Sequence, residues 1–297
     1  MSPIARRHLL TAAALAPFAS WAQDQPYEPQ LGQGGKDVIW APTPDAMVDR
    51  MLLLAGLKPS DYVIDLGAGD GKIVIAAARA GARGLGIEYN ADLVALAQRR
   101  AQAAGVADRA RFEKADIFEY DFSRASVVTL YLLPRLNLRL RHRLLALTPG
   151  TRIVSHSFDM GDWRADEMTN AGGATALLWL VPANLGGEWA LRFPLAECAE
   201  ARGLLEVEQR FQQISGVAVF RDFTAGLRQP LLAGDRVRFA LTDAEGQVRE
   251  FDGRIAGREL IGTVTQGNDR VPFSATRTDS AIPPIGGSEP VQQQGGA

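Results

Sequence analysis

The chain predicts an α/β protein: a doubly wound, mainly parallel sheet followed by a smaller antiparallel all-β domain. Three observations carry this. Up to about residue 182, short apolar runs alternate with amphipathic helical stretches, as in parallel sheets with helices on both faces. From about Ala183 the apolar period shortens to two, the pattern of antiparallel strands buried on one side. Between them in weight stands Asp65-Leu66-Gly67-Ala68-Gly69-Asp70-Gly71, where an apolar run, Tyr62-Val63-Ile64, meets a glycine turn and then a helix-like run from Lys72 to Ala80.

Taken in order, Asp45 to Leu57 reads as a helix ahead of this first strand. Gly84-Leu85-Gly86-Ile87-Glu88 is a short buried strand ending on a carboxylate, and Asn90 to Ala104 is an amphipathic helix that starts at an Asn cap. Ala110 to Ala115 is a third strand, delivering Asp116 to the same edge. Ser126 to Tyr131 is a fourth. Pro134 suits a first helical turn, so Arg135 to Leu147 follows as a helix, and Pro149-Gly150 ends it before strand Thr151 to Ser155. Thr175 to Val181 is the sixth strand.

The glycine turn points to a nucleotide-type cofactor, because glycines let the backbone approach a ligand and open α/β sheets bind at strand carboxyl ends. Glycines fall at 67, 69 and 71, not in the G-x-G-x-x-G order of dinucleotide loops. Asp65 and Asp70 beside the loop would repel a pyrophosphate and attract the ammonium and sulfonium of S-adenosylmethionine. Glu88, about twenty residues on, is placed to hold ribose hydroxyls. Each acid alone also reads as a helix cap; three acids at three successive strand ends favour the ligand reading.

The D-x-G-x-G-x-G run resembles the first motif of the Rossmann-like, class I S-adenosylmethionine-dependent methyltransferases. Together with Trp40-Ala41-Pro42-Thr43-Pro44 and Leu130-Tyr131-Leu132-Leu133-Pro134, residues 38–182 resemble bacterial relatives of the FAM173 lysine methyltransferases, themselves distantly similar to the Dot1 group. The resemblance implies cofactor contacts from Asp65, Gly67, Gly69, Asp70, Gly71 and Glu88. It further implies that Asp116 holds the adenine amino group with Ile117 and Phe118 as apolar walls, and that the Thr43 hydroxyl meets the cofactor carboxylate. Tyr131 and Pro134 occupy the post-strand position that presents an acceptor. Several amino-methylating relatives carry Asn/Asp-Pro-Pro-Tyr there, and the departure speaks against adenine- or glutamine-type acceptors. At the end of the fifth strand, His156 and Asp159 are catalytic candidates, placed either to steer or deprotonate an acceptor or to cap the loop that holds Trp163. Tyr131, Phe158 and Trp163 are placed to line a passage in which a lysine arrives uncharged. The implied activity is in-line methyl transfer to a protein or small-molecule acceptor, a protein lysine amine first. The alternatives are an exported non-catalytic module that binds S-adenosylmethionine or another adenosine ligand and, disfavoured by the spacing, an NAD-dependent oxidoreductase.

Arg6-Arg7-His8-Leu9-Leu10, an alanine-rich run and Ser20-Trp21-Ala22 predict a twin-arginine signal peptide over residues 1–22, hence the export machinery as partner and a periplasmic destination. A downstream start codon would instead leave the protein in the cytoplasm. The whole chain holds 32 basic and 34 acidic residues, net −2; loss of Arg6 and Arg7 with the signal makes the net charge −4, which argues against nucleic acid as a partner. No apolar run is long enough for a transmembrane segment in the mature chain. His8, His142 and His156 form no metal-ligand spacing with the single Cys198, so no metal is expected. Residues 23–37 read as a linker, 183–278 as a β-meander forming a sandwich or partly open barrel, and 279–297 as a disordered tail. Glu188 to Phe193 fits either the meander or a seventh strand of the first sheet.

Overall fold

The computed structural model describes residues 27–37, 39–195 and 199–286; the predicted signal peptide lies outside them. The first half is a seven-stranded sheet built from β1 (Tyr62–Leu66), β2 (Arg83–Glu88), β3 (Ala110–Lys114), β4 (Val127–Leu130), β5 (Arg152–His156), β6 (Glu167–Ala171) and β7 (Ala174–Leu180). Their order across the sheet is β3-β2-β1-β4-β5-β7-β6. The first five are parallel, β7 runs antiparallel to β5, and β6 runs antiparallel to β7. The sequence reading contains no β6. Glu-Met-Thr-Asn-Ala carries no apolar alternation, because an edge strand with little buried surface needs none.

Helices α1 (Asp45–Leu54), α2 (Lys72–Arg79), α3 (Ala91–Ala103) and α4 (Pro134–Leu145) are those the sequence predicts. Asn90 caps α3 by accepting from the backbone N–H groups of Asp92 and Leu93, and Pro134 opens α4. One face of the sheet packs on Met47, Val48 and Met51 of α1 and Ile73 and Ala77 of α2. Leu136, Leu140 and Leu144 of α4 fill the other. Beyond α4, no helix among the described residues covers that second face. A crossover between parallel strands usually carries one, yet Ser157 to Asp166, between β5 and β6, is a loop.

The second half supplies the missing cover. Its strands are β8 (Gly187–Pro194), β9 (Glu200–Arg210), β10 (Gln213–Phe220), β11 (Thr224–Gly226), β12 (Arg228–Ala233), β13 (Arg236–Thr242), β14 (Val248–Ala256), β15 (Glu259–Gln266) and β16 (Asp269–Arg277). The turn between β9 and β10 projects Phe211, buried and stacked on Trp163 at 5.8 Å, into the core of the first sheet. Gln212 accepts from the Trp163 indole N–H at 3.1 Å, and Arg210 pairs with Asp162.

The predicted meander closes on itself. β16 pairs with β8, while β11 pairs with β10 and β12 with β13. Since only Leu227 separates β11 from β12, they act as one bent strand in an eight-strand barrel. This assigns β8 to the barrel rather than to the first sheet. Phe193, Phe239, Phe251 and Phe273 pack through its middle.

The ends of the barrel differ. At the end facing the first sheet, the buried Arg277 guanidinium lies 4.4 Å over the Trp189 ring and donates to the carbonyls of Asn184 and Gly186. The Ala183 N–H donates to Gly234 O at 2.8 Å beside the Gly150 turn. Part of the predicted disordered tail is seated here too. Asp279 accepts from Glu188 N–H at 2.8 Å and Gly286 lies against Phe211. Residues 287–297 lie outside the described part.

Candidate active site

The carboxyl ends of β1, β2, β3 and β4 border one crevice. Asp65, Gly67, Gly69, Asp70, Glu88, Asp116, Ile117, Thr43 and Tyr131 all line it. The glycine loop is tied to β2, with Gly67 N and Ala68 N both donating to Ile87 O. Gly69 has φ 54°, and a Cβ there would meet the Trp40 indole nitrogen at 3.1 Å. Gly71, the residue before α2, has φ 82°; a Cβ would sit 2.6 Å from the Phe112 ring. Gly71 does not line the crevice, so its glycine serves helix-to-strand packing and not the cofactor contact expected of it.

The four acids have four different surroundings. Asp65 is buried at 3% exposure and accepts from the Thr129 hydroxyl at 2.7 Å. Burial, with the charges of Glu88 and Asp70 nearby, pushes its carboxyl up to about 7. Asp70 is ion-paired with Arg100 of α3. It therefore ties the loop to a helix and is not the free negative charge that the sequence reading used to exclude a pyrophosphate. Glu88 holds the loop in place, accepting from Gly69 N and Asn90 N, both at 2.9 Å. Asp116 accepts from Phe118 N at 2.9 Å and from Lys36 Nζ at 2.5 Å. Burial raises its pKa, but these hydrogen bonds outweigh it and the net shift is downward.

Lys36 belongs to the segment expected to be a linker. Residues 27–37 and 39–40 instead fold into a strap: Gly32 N donates to Trp40 O, Trp40 N to Gln33 O, and Gly34 bridges to Ile39. The strap lies across the Asp116 end of the crevice, with the Lys36 ammonium also 4.8 Å from the Tyr89 ring centroid. The crevice that it borders holds a cavity of about 130 Å³. Motif reading missed the strap and the role of Arg100, because each acts from 30 or more residues away from its partner.

At the opposite end of the crevice, Tyr131 follows β4 and His156 ends β5. Their rings lie 3.9 Å apart, Phe158 stacks on Tyr131 at 6.0 Å, and Thr43 Oγ1 is 3.3 Å from His156 Nδ1. Burial lowers the His156 pKa, favouring neutral imidazole. The next residue, Ser157, is held at φ 65°, a conformation that side chains other than glycine rarely adopt and that recurs at functional sites. Two expected members are elsewhere. Asp159 is exposed, and its carboxylate accepts from Gly161 N at 3.0 Å, capping the loop. Trp163 is fully buried against Trp179 and Phe211. Phe118 likewise leaves the wall of the crevice and lies under the Arg139 guanidinium at 3.6 Å. Among the described residues no cluster of three metal-ligating side chains forms and no helix is long and apolar enough to cross a membrane.

Comparison with known proteins locates the similarity on this half. The family described as the ANTKMT methyltransferase domain matches residues 65–167. A protein-lysine N-methyltransferase of Saccharolobus islandicus (strain REY15A) is 40% identical over 134 residues, which are 44% of this chain and 83% of that protein. The adenine nucleotide translocase lysine N-methyltransferase of Mus musculus is 33% identical over 127 residues, 42% of this chain and 55% of its own length. Among solved structures, an RNA methyltransferase from Salinibacter ruber in complex with S-adenosyl-L-homocysteine is 52% identical, covering 49% of this chain and 96% of that one, with a TM-score of 0.48.

Proposed function

We propose a protein-lysine acceptor for this chain, which belongs to the ANTKMT-type, FAM173-like family of S-adenosylmethionine-dependent methyltransferases. The chemistry of the crevice supports this cofactor. A buried carboxylate pushed up to about 7 by burial and by neighbouring acids is a place where a cation relieves the misfit. In this reading Asp65 and Thr43, which line the crevice, meet its charged amino-acid end, Glu88 the ribose hydroxyls, and Asp116 with Ile117 the adenine. When bound, S-adenosylmethionine supplies an electrophilic methyl group for in-line displacement.

The observation that carries the lysine reading is the aromatic wall that Tyr131, backed by His156 and Phe158, presents to the crevice beside Thr43. An amine entering it leaves water, and desolvation favours its uncharged, nucleophilic form. The rings hold the lysine chain in line and exclude water, which supplies much of the acceleration in such displacements. His156, kept neutral by burial, is in the state that can accept a proton. Lysine methylation by two of the relatives supports the same reading.

The test is incorporation of labelled methyl into cell-envelope and cytoplasmic protein extracts, followed by mass spectrometry of the modified residue. Label on lysine is expected. Label on RNA alone, or cofactor binding with no transfer to any extract, would overturn the acceptor and the enzyme reading respectively. Export through the twin-arginine pathway is part of the proposal and rests on Arg6 and Arg7. Arg6→Lys/Arg7→Lys should abolish recovery from the periplasm.

A further inference from the structure

We propose that the open mouth of the barrel is a second binding site, for a small, uncharged, mainly apolar molecule carrying a hydrogen-bond acceptor. Among the described residues, one end of the barrel is sealed and the other holds a cavity. Arg277, Trp189 and the contact with the first sheet close the sealed end, whereas the cavity at the opposite end measures about 250 Å³. An eight-strand barrel is just wide enough either to fill with side chains or to keep one small ligand, and here both occur. The middle is packed with phenylalanines, and the mouth is not.

The lining defines the ligand. Phe220 stacks on Phe223 at 4.6 Å and meets Phe193 edge-on at 6.2 Å; Leu241 completes an apolar floor. An apolar cavity of about 150 Å³ holds a benzene ring, so this one suits a bicyclic molecule that reaches the mouth. The polar wall is an ion pair. Arg249 donates through Nε and Nη2 to one oxygen of Asp243, at 3.2 and 2.9 Å, while the other oxygen accepts from Gln247 N at 2.7 Å. Both side chains are mostly buried, 15% and 9% exposed. Nη1 makes no hydrogen bond among the described residues and is the donor that a ligand carbonyl or hydroxyl would meet. Charge excludes the alternatives. Asp222 and Glu245 at the exposed rim add two carboxylates beyond the Asp243–Arg249 pair, which repels an anion. A cation gains more by staying hydrated beside those rim acids than by entering an aromatic floor.

The experiment uses the full chain and 6-propionyl-2-(dimethylamino)naphthalene, a neutral bicyclic fluorophore with one carbonyl. A saturable, single-site blue shift is expected, undiminished by saturating S-adenosylmethionine. Ala201→Phe, at the β9 position opposite Phe193, fills the cavity. Phe223→Asp removes the half-buried ring that stacks on Phe220 and alters the cavity wall. Each should weaken the probe by at least about tenfold while leaving S-adenosylmethionine binding as in the parent, which also reports folding. Absence of saturable binding, displacement of the probe by S-adenosylmethionine, or unchanged affinity in both variants would overturn the site. Laurate competing as well as the neutral probe would overturn the charge preference.

Discussion

In the first sheet, β1, β2 and β3 bring Asp65, Glu88 and Asp116 to an edge where a crevice remains, and a strap paired to Asp116 through Lys36 borders it. In the barrel every strand contributes to a filled interior, and the cavity there lies at the end that Arg277 does not plug. An open α/β sheet generates its site automatically, at the edge where its helices diverge. A closed sheet generates one only where packing stops short. The two regions also differ in dependence, for the first sheet borrows Phe211 from the barrel, while the described barrel core is made of its own side chains.

That asymmetry can be broken most severely at Phe211. Phe211→Ala empties a ring stacked on Trp163, and core truncations of this size cost about 3–5 kcal/mol. Chemical denaturation should show the S-adenosylmethionine-binding half losing that stability although the substitution lies in the barrel. An unchanged midpoint would separate the two halves. Next in size, Asp65→Ala and Glu88→Ala should each abolish measurable S-adenosylmethionine binding by calorimetry, whereas Asp159→Ala, outside the crevice, should leave both binding and turnover near the parent values.

A subtler test uses pH. Asp65, raised to about 7 in the free protein, must be ionised to meet a cation. Apparent S-adenosylmethionine affinity should therefore fall by up to about tenfold per pH unit as pH drops below 7, one proton being taken up by the free form. Asp65→Asn should flatten the profile. For the free protein the sign is opposite. A folded-state pKa above the unfolded value stabilises at low pH, and that contribution is lost as pH rises towards 7, so the cofactor-free protein should be relatively more stable on the acid side of this group. The smallest effect belongs to Lys36. Lys36→Met removes a surface ion pair on the strap, and stopped-flow should show cofactor association about two- to fivefold faster, with less salt dependence.

Much of the first sheet was legible because its signals are local. A strand, a glycine turn and a helix lie within twenty residues, and Asn90 caps the helix that directly follows it. What was hidden depends on distance along the chain. Asp70 looks like a free loop acid until Arg100 is seen beside it. Gly71 fits a ligand-loop pattern, yet Phe112, 41 positions on, is what forbids a side chain there. The strap looked like a linker because its pairing to Asp116 spans 80 residues. In the barrel, alternation disclosed the strands, but closure depends on β16 meeting β8 from the far end of the domain, which no short window contains.

The ring of Phe211 also sets a schedule for synthesis. Domains of a growing chain generally fold in order of emergence, N-terminal first. Here every strand of the first sheet has been made by Leu180, yet one patch of its core stays bare until the β9–β10 turn, some thirty residues later, leaves the ribosome. Through that interval the nascent methyltransferase half exposes Trp163 and Trp179 to whatever chaperones are at hand, and a chain stalled just before β9 would be a ready target for proteolysis.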